Sequence, residues 1–187
     1  MAPAVSLPAQ HFCVWHERSG PSSVIVEGML PMPTRSCGEV LIAVRATSVN
    51  PKDWKGRIAA SPGCKSLLGE DVAGVVVACD PSSPFPVGTR VFAMMNMLAW
   101  RGDTRFFKSD GSYVPKSEPR RPESTAAGAV RWGASGQYVP IEERFVARIP
   151  DNVSFEEAAS VPLVALTALQ NLRNAGLGAE GSPARSL

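Results

Sequence analysis

The chain of 187 residues has no uninterrupted run of 18 apolar residues, no Cys-x-x-Cys pair, only two histidines and a charged share of 19%. Each shortage closes off a class of function. Without a long apolar run there is no candidate membrane-spanning helix, and the first 17 residues carry no Lys or Arg of the kind a signal or transit peptide needs. The expectation is a soluble, cytoplasmic protein. Cys13, Cys37, Cys64 and Cys79 are scattered, so neither zinc-ribbon spacing nor a dense disulfide framework is present, and the thiols are read as reduced. A net charge of +2 offers no electrostatic reason for binding nucleic acid or an anionic membrane. The charged share lies below the usual value of roughly 25%, while 44% of residues are apolar, which marks a globular chain. Its length suits one substantial domain with at most part of a second.

What is present is mostly strand. His11 to Trp15 and Val24 to Leu30 are rich in β-branched and aromatic residues and flank a Ser-Gly-Pro-Ser-Ser cluster, the pattern of a hairpin. His11, Cys13 and His16 lie close in sequence, but alternation puts His11 and Cys13 on one face and His16 on the other, so strand packing is preferred over a metal site. Gly38 to Val49 alternates Val40, Ile42, Val44 and Ala46 against Leu41, Ala43 and Arg45, predicting a strand buried mainly on one side. Gly69 and Gly74 interrupt an apolar strand over Leu67 to Ala78, which predicts a bend or a close backbone approach. That segment lacks the G-x-G-x-x-G or Gly-Lys-Ser/Thr spacing of a phosphate loop. Pro86 to Phe92 reads as a turn and a strand, and Gln137 to Ile141 and Arg144 to Ile149 as two short strands.

The stretch Ser48 to Arg57, Ser-Val-Asn-Pro-Lys-Asp-Trp-Lys-Gly-Arg, joins a strand end to a helix start. Asn50 before Pro51 is placed as an N-cap with proline at the first helical position, and Asp53 falls where a carboxylate favours exposed N–H groups. Lys55 and Arg57 follow about 200° apart around that helix, so one of them at most faces a given pocket. Further on, Ser154-Phe-Glu-Glu157 forms a capping box. Pro162 opens a second helix with Leu163, Leu166, Leu169 and Leu172 as an apolar stripe, stopped by Gly176. Arg101 to Glu123 is different, with six basic and four acidic residues and no apolar period. Residues 96–131 are therefore expected to be a poorly ordered, solvated insertion, and Leu177 to Leu187 show no core pattern.

In this order, Val49-Asn-Pro-Lys-Asp-Trp-Lys55, Gly69-Glu-Asp-Val-Ala-Gly-Val-Val, Val87-Gly-Thr-Arg-Val, Gly133 to Tyr138, and Pro150-Asp-Asn-Val-Ser-Phe-Glu-Glu-Ala-Ala ending in Leu166-Thr-Ala resemble the zinc-independent medium-chain dehydrogenase/reductases. The likeness is to the quinone-oxidoreductase-like and enoyl-reductase-like branch. It implies a mainly β fold, a GroES-like partly open β-barrel with short helices, whose C-terminal helix leads in the family into a Rossmann domain that binds NADPH. Residues 1–160 are expected to be the substrate-side domain, and 161–187 a connecting helix and tail that stop short of a Rossmann domain. Alone, such a chain is expected to be inactive.

Zinc-dependent members of the family carry a cysteine in the segment equivalent to Thr47 to Asp53 and a histidine where Glu70 stands, and a four-cysteine lobe after the Gly88 region. None of those ligands is present here, so no metal is expected. Hydride reduction without a Lewis acid needs a nicotinamide, a donor for the developing enolate oxygen and a dry pocket. The resemblance assigns Asn50 and Thr167 to the nicotinamide end of NADPH and Lys55 to the catalytic point charge. Each residue also has a structural reading: Asn50 as helix cap, Lys55 as a solvated lysine, Thr167 as a packed residue. The implied partner is a small-molecule substrate, a quinone, enone or enoyl thioester, with neither membrane nor nucleic acid. Two other readings stay open, a non-catalytic β-barrel module for protein or RNA contact and an incomplete gene product. The ligand count predicts that the purified protein holds no zinc. One zinc per chain by elemental analysis, resistant to chelator, would overturn the assignment to this branch.

Overall fold

Alternating apolar residues pair into two curled sheets in the computed structural model, which describes residues 6–16, 25–51, 53, 65–95, 130–131 and 133–176. The first sheet has the order β2-β1-β4-β7. β1 (Gln10–His16) and β2 (Ile25–Pro31) make the antiparallel hairpin, with Phe12 opposite Met29 and Trp15 opposite Val26. β4 (Lys65–Leu67) lies along β1 and takes β7 (Val130–Arg131) in parallel on its other side. Val130 and Arg131, the last two residues of the segment expected to be an insertion, are thus strand. Residues 96–129 lie outside the described residues, as do 177–187.

The second sheet has the order β8-β3-β5-β6-β9, all neighbours antiparallel. β3 (Glu39–Thr47) is central, between β8 (Tyr138–Glu142) and β5 (Asp71–Ala78). Its first four residues are buried whichever face they point to, rather than on one side alone, because the sheet curls around that end of the strand. β6 (Arg90–Met94) and β9 (Val146–Arg148) complete the sheet. Arg144 and Phe145, expected as strand, belong to a one-turn 3-10 helix over Glu143–Phe145. Val40, Ile42, Val72, Val76, Val91, Val139 and Ile141 form the main core. A satellite of Cys13, Trp15, Leu30 and Leu67 lies under the hairpin.

Residues 133–137 stitch the sheets together. Gln137 donates its N–H to Phe12 O at 3.0 Å and accepts at its own carbonyl from Val44 N at 2.8 Å, touching both sheets. Ser135 exchanges backbone bonds with Val14 and Leu68, and its hydroxyl donates to Val14 O at 2.6 Å while accepting from Leu68 N at 2.8 Å.

The two glycines of the Gly69 to Ala78 segment divide the roles expected of them. Gly69 takes a left-handed turn, φ +84°, that admits glycine far more readily than other residues. Gly74 sits where β3 and β5 close together, opposite a bulge between Val44 and Ala46. A Cβ there would fall on the Ala43 carbonyl oxygen and within 2.7 Å of Ile42 Cγ2.

Two helices follow the sheets. α1 (Phe155–Ala159) starts on the full capping box, Glu157 N to Ser154 Oγ at 3.1 Å and Ser154 N to Glu157 Oε2 at 2.8 Å. It buries Ala158 and Ala159 against Ala73 and Ile149. α2 (Pro162–Asn174) starts with proline at its first position and ends at Gly176, φ +75°. Its expected apolar stripe covers little among the described residues, with Leu166, Leu169 and Leu172 exposed at 43%, 43% and 49%. Among the described residues no helix is long and apolar enough to cross a membrane.

Because the strands cannot separate locally to admit a methyl group, Gly74→Ala is expected to lose about 1–3 kcal/mol of stability, read from urea unfolding. A loss under about 0.5 kcal/mol would mean that the β3–β5 contact is not tight.

Candidate functional site

Alternation along β5 points Val72, Gly74 and Val76 into the main core and Asp71 and Ala73 toward the helices. Asp71 is therefore a fully buried carboxylate, 0% exposed, on the face that meets α2. Burial of a carboxylate is costly unless donors surround it, and three segments supply them. Ser48 Oγ donates to Oδ2 at 2.7 Å, Asn50 Nδ2 donates to Oδ2 at 2.8 Å, and the backbone N–H of Leu163 donates to Oδ1 at 2.9 Å. The Thr47 hydroxyl adds a bond to the Asp71 carbonyl at 2.7 Å. Leu163 is the second residue of α2, so the carboxylate also faces the positive end of that helix.

Asn50, 6% exposed, stands at the helix start that its sequence predicts. Asp53 Oδ2 accepts from Asn50 N at 2.7 Å, and Asp53 N donates to Asn50 O at 3.0 Å, which is the acidic half of a capping box. The Asn50 amide nitrogen reaches Asp71 and, at 3.1 Å, Ser48 Oγ. Tertiary donors and acceptors have taken the side chain that the local pattern assigned to capping.

Thr167 is exposed on α2, its hydroxyl donating to Leu163 O one turn earlier at 2.7 Å. Asn50 and Thr167 are thus both tied to neighbours of one residue, Asn50 to the Asp71 carboxylate that accepts from Leu163 N and Thr167 to the Leu163 carbonyl. Lys55 lies outside the described residues, with Trp54 and Arg57. Glu70 is 1% exposed, and among the described residues no three His, Cys, Asp or Glu side chains are grouped so as to hold a metal ion. Asp71 and Ser48 escaped the sequence reading. The available signal was a carboxylate opening the otherwise apolar run Val72 to Ala78, since a charge at the mouth of a buried strand needs donors from elsewhere.

His11 and Cys13 form a second buried pair, Sγ 3.3 Å from Nε2. Tyr138 N donates to His11 Nδ1 at 3.2 Å, so Nδ1 is the ring's acceptor and the proton of the neutral ring is on Nε2. Burial lowers the imidazole pKa and pushes the thiol up to about 11. Both groups are therefore neutral, and the pair is not a thiolate–imidazolium nucleophile. His16 lies at the far end of β1, paired with Ser66.

Residues 36–151 match the family described as alcohol dehydrogenase GroES-like domain. Among curated proteins, the chain is 29% identical over 178 residues to a 2-methylene-furan-3-one reductase of Solanum lycopersicum, covering 92% of this chain and 39% of that protein. It is 33% identical over 156 residues to a trans-enoyl reductase of Aspergillus flavipes, covering 80% and 36%. The chain thus spans less than half the length of these relatives. Among solved structures, the quinone oxidoreductase from Coxiella burnetii superposes with a TM-score of 0.65 at 22% identity, over 89% of this chain and 45% of that one. A mycobacterial protein solved in complex with NADPH superposes with a TM-score of 0.60 at 24% identity, over 87% and 40%.

With its pKa near 11, roughly a thousandth of the Cys13 thiol is ionised at pH 8. Iodoacetamide is expected to label exposed Cys37 at least about a hundredfold faster than Cys13, measured by peptide mass spectrometry. Similar rates would show that the pair is open and reactive.

Proposed function

This chain belongs to the alcohol dehydrogenase GroES-like domain family, and from that premise we propose that it is the substrate-side domain of an NADPH-dependent reductase of quinones, enones or enoyl thioesters, working by hydride transfer without zinc. Residues 1–160 are that domain, and α2 leads toward a dinucleotide-binding unit. The reading is supported by curated relatives that are furanone and trans-enoyl reductases. The observation that carries it is the hydrogen-bonded line from Asn50 through Asp71 and Leu163 to Thr167, which unites two residues that the family motifs pick out separately.

These residues fit the nicotinamide end of the cofactor. An amide and a hydroxyl are neutral polar groups suited to a neutral carboxamide, and no glycine-rich phosphate loop occurs in the sequence. Bound, the cofactor supplies hydride. Asn50 and Thr167 then orient its reactive ring, while Lys55, the proposed catalytic residue, offers an ammonium to the oxygen on which negative charge develops. A small-molecule substrate is the partner, and binding of the remote phosphates is left to the other unit.

Since remote binding energy is what positions the donor, the 187 residues alone are expected to show no measurable enone-dependent NADPH oxidation. Fusion of a relative's Rossmann half after Gly176 is expected to restore it. In that fusion Lys55→Ala should cut the rate about tenfold or more with an unchanged melting temperature. Fast turnover by the chain alone would place the cofactor elsewhere, unchanged turnover in the variant would make Lys55 a surface lysine, and a fusion that binds NADPH yet reduces none of these substrates would refute the reading.

A further inference from the structure

An ionised carboxylate only accepts hydrogen bonds, and the two oxygens of Asp71 accept from different parts of the fold. Oδ2 takes the Ser48 hydroxyl at 2.7 Å and the Asn50 amide nitrogen at 2.8 Å. Ser48 Oγ lies 3.1 Å from the same nitrogen, so both acceptors stand on one side of it, too close together for two diverging N–H bonds to take one each. A single N–H of Asn50 serves that side. Its second N–H and its oxygen have no partner among the described residues. Turning the amide over would set Oδ1 against a carboxylate oxygen and a hydroxyl whose hydrogen is already spent, so the nitrogen is held on the Asp71 side. The other carboxylate oxygen, Oδ1, accepts from Leu163 N at 2.9 Å. In the first turn of α2, where a helix cannot satisfy its own N–H groups, Pro162 has no N–H to give. Val164 N has no acceptor among the described residues. Leu163 N is therefore the amide by which this turn is held.

We propose that Asp71 is the positioning residue of this site and has to be an acid, because two acceptor oxygens on one side chain fix the Asn50 amide and pin the start of α2, and with it Thr167. What remains of Asn50 for a ligand is one N–H and the carbonyl oxygen, a donor together with an acceptor. That this ligand is the nicotinamide carboxamide rests on the reading above, whereas the two attachments do not. Asp71→Asn keeps the shape but has one oxygen and an added NH2 group. If that oxygen goes to Leu163 N, the NH2 group meets Asn50 and the Asn50 amide turns over. If it goes to Ser48 and Asn50, the NH2 group meets Leu163 N and the helix loses its acceptor. The isostere serves one end at a time.

The test is made by NMR on the ligand-free chain of 187 residues, so that no cofactor enters it. The Leu163 N–H should exchange with solvent at least about tenfold more slowly than the Val164 N–H, each measured against its rate in an unstructured peptide. Fraying of α2 as a whole would act on both amides and leave no such ratio. One side-chain amide proton of Asn50 should lie downfield of both those of exposed Asn152, as expected for an N–H on a carboxylate. A Leu163 to Val164 ratio near one, or Asn50 protons that coincide with those of Asn152, would overturn the proposal. Asp71→Asn should lose one of these two signatures and keep the other, and Asp71→Ala should lose both. A folded Asp71→Asn protein that keeps both would show that one oxygen is enough and would overturn the need for an acid. If neither variant folds, the wild-type ratio and shifts decide. Failure of the Rossmann fusion to bind NADPH would remove the cofactor reading and leave these results standing.

Discussion

A buried carboxylate that must be surrounded by donors is the constraint on which this structure turns. Several kcal/mol are lost when such a group leaves water, unless hydrogen bonds replace the hydration. Asp71 recovers that cost from a hydroxyl, an amide and a backbone N–H that belong to three separate segments. The dependence is mutual. Asn50, almost as buried, needs an acceptor for its amide hydrogens, and the first turn of α2 has N–H groups that its own helix cannot satisfy. None of the three can shift without leaving another unmet, so the end of β3, the start of β5 and the start of α2 are fixed relative to one another.

That mutual fixing needs a stiff support, and the sheet provides one. β3 and β5 approach so closely at Gly74 that no side chain fits between them, while β3 is held on its far side by β8. The Gln137 backbone then bonds to both sheets, which ties the hairpin to the five-stranded sheet. Asn50 and Asp71 emerge from the ends of the two most constrained strands. Groups meant to orient a ligand within a fraction of an ångström are best carried on such elements. The Arg35 guanidinium, 2.6 Å from Asp80, closes the opposite end of the same strand pair together with Gly38 N, and these bonds hold the Asp80 carboxyl below its ordinary range.

What could be read from the sequence was what local chemistry decides. Period-two alternation located the long strands, Ser154 and Glu157 announced their capping box, Pro162 and Gly176 bracketed α2, and five motifs in order named the family. Segments too short to show a period were missed. β4 and β7 have three and two residues, and their pairing joins Lys65 to Val130, with no local signal at either end. The site was half legible for the same reason. Asn50 was marked by its neighbours, but the residue that orients it is satisfied by Leu163, 92 positions later, and no window on the sequence spans that distance. Even at Asn50 the local reading was incomplete, since Asp53 does the capping and the amide of Asn50 goes to a partner 21 positions away.

The same interaction bears on α2 itself. A helix of 13 residues is marginal in water, because nucleation costs a factor of about a thousand before propagation begins to return it. The usual remedy is an amphipathic face buried on a core, yet the leucines of α2 are exposed among the described residues and Pro162 is its one buried side chain there. Its secure attachment is at the first turn, where proline presets the backbone and Asp71 accepts from Leu163, a contact of the kind worth about 1 kcal/mol at a helix N-terminus. Asp71 therefore serves two ends with one side chain. Its Oδ2 sets the direction of an amide and its Oδ1 anchors a helix, and Thr167 stands one turn from that anchor. Any motion that displaces the start of α2 must then reach Asn50 through the two oxygens of a single carboxylate, which couples the helix to the groups that would hold a ligand.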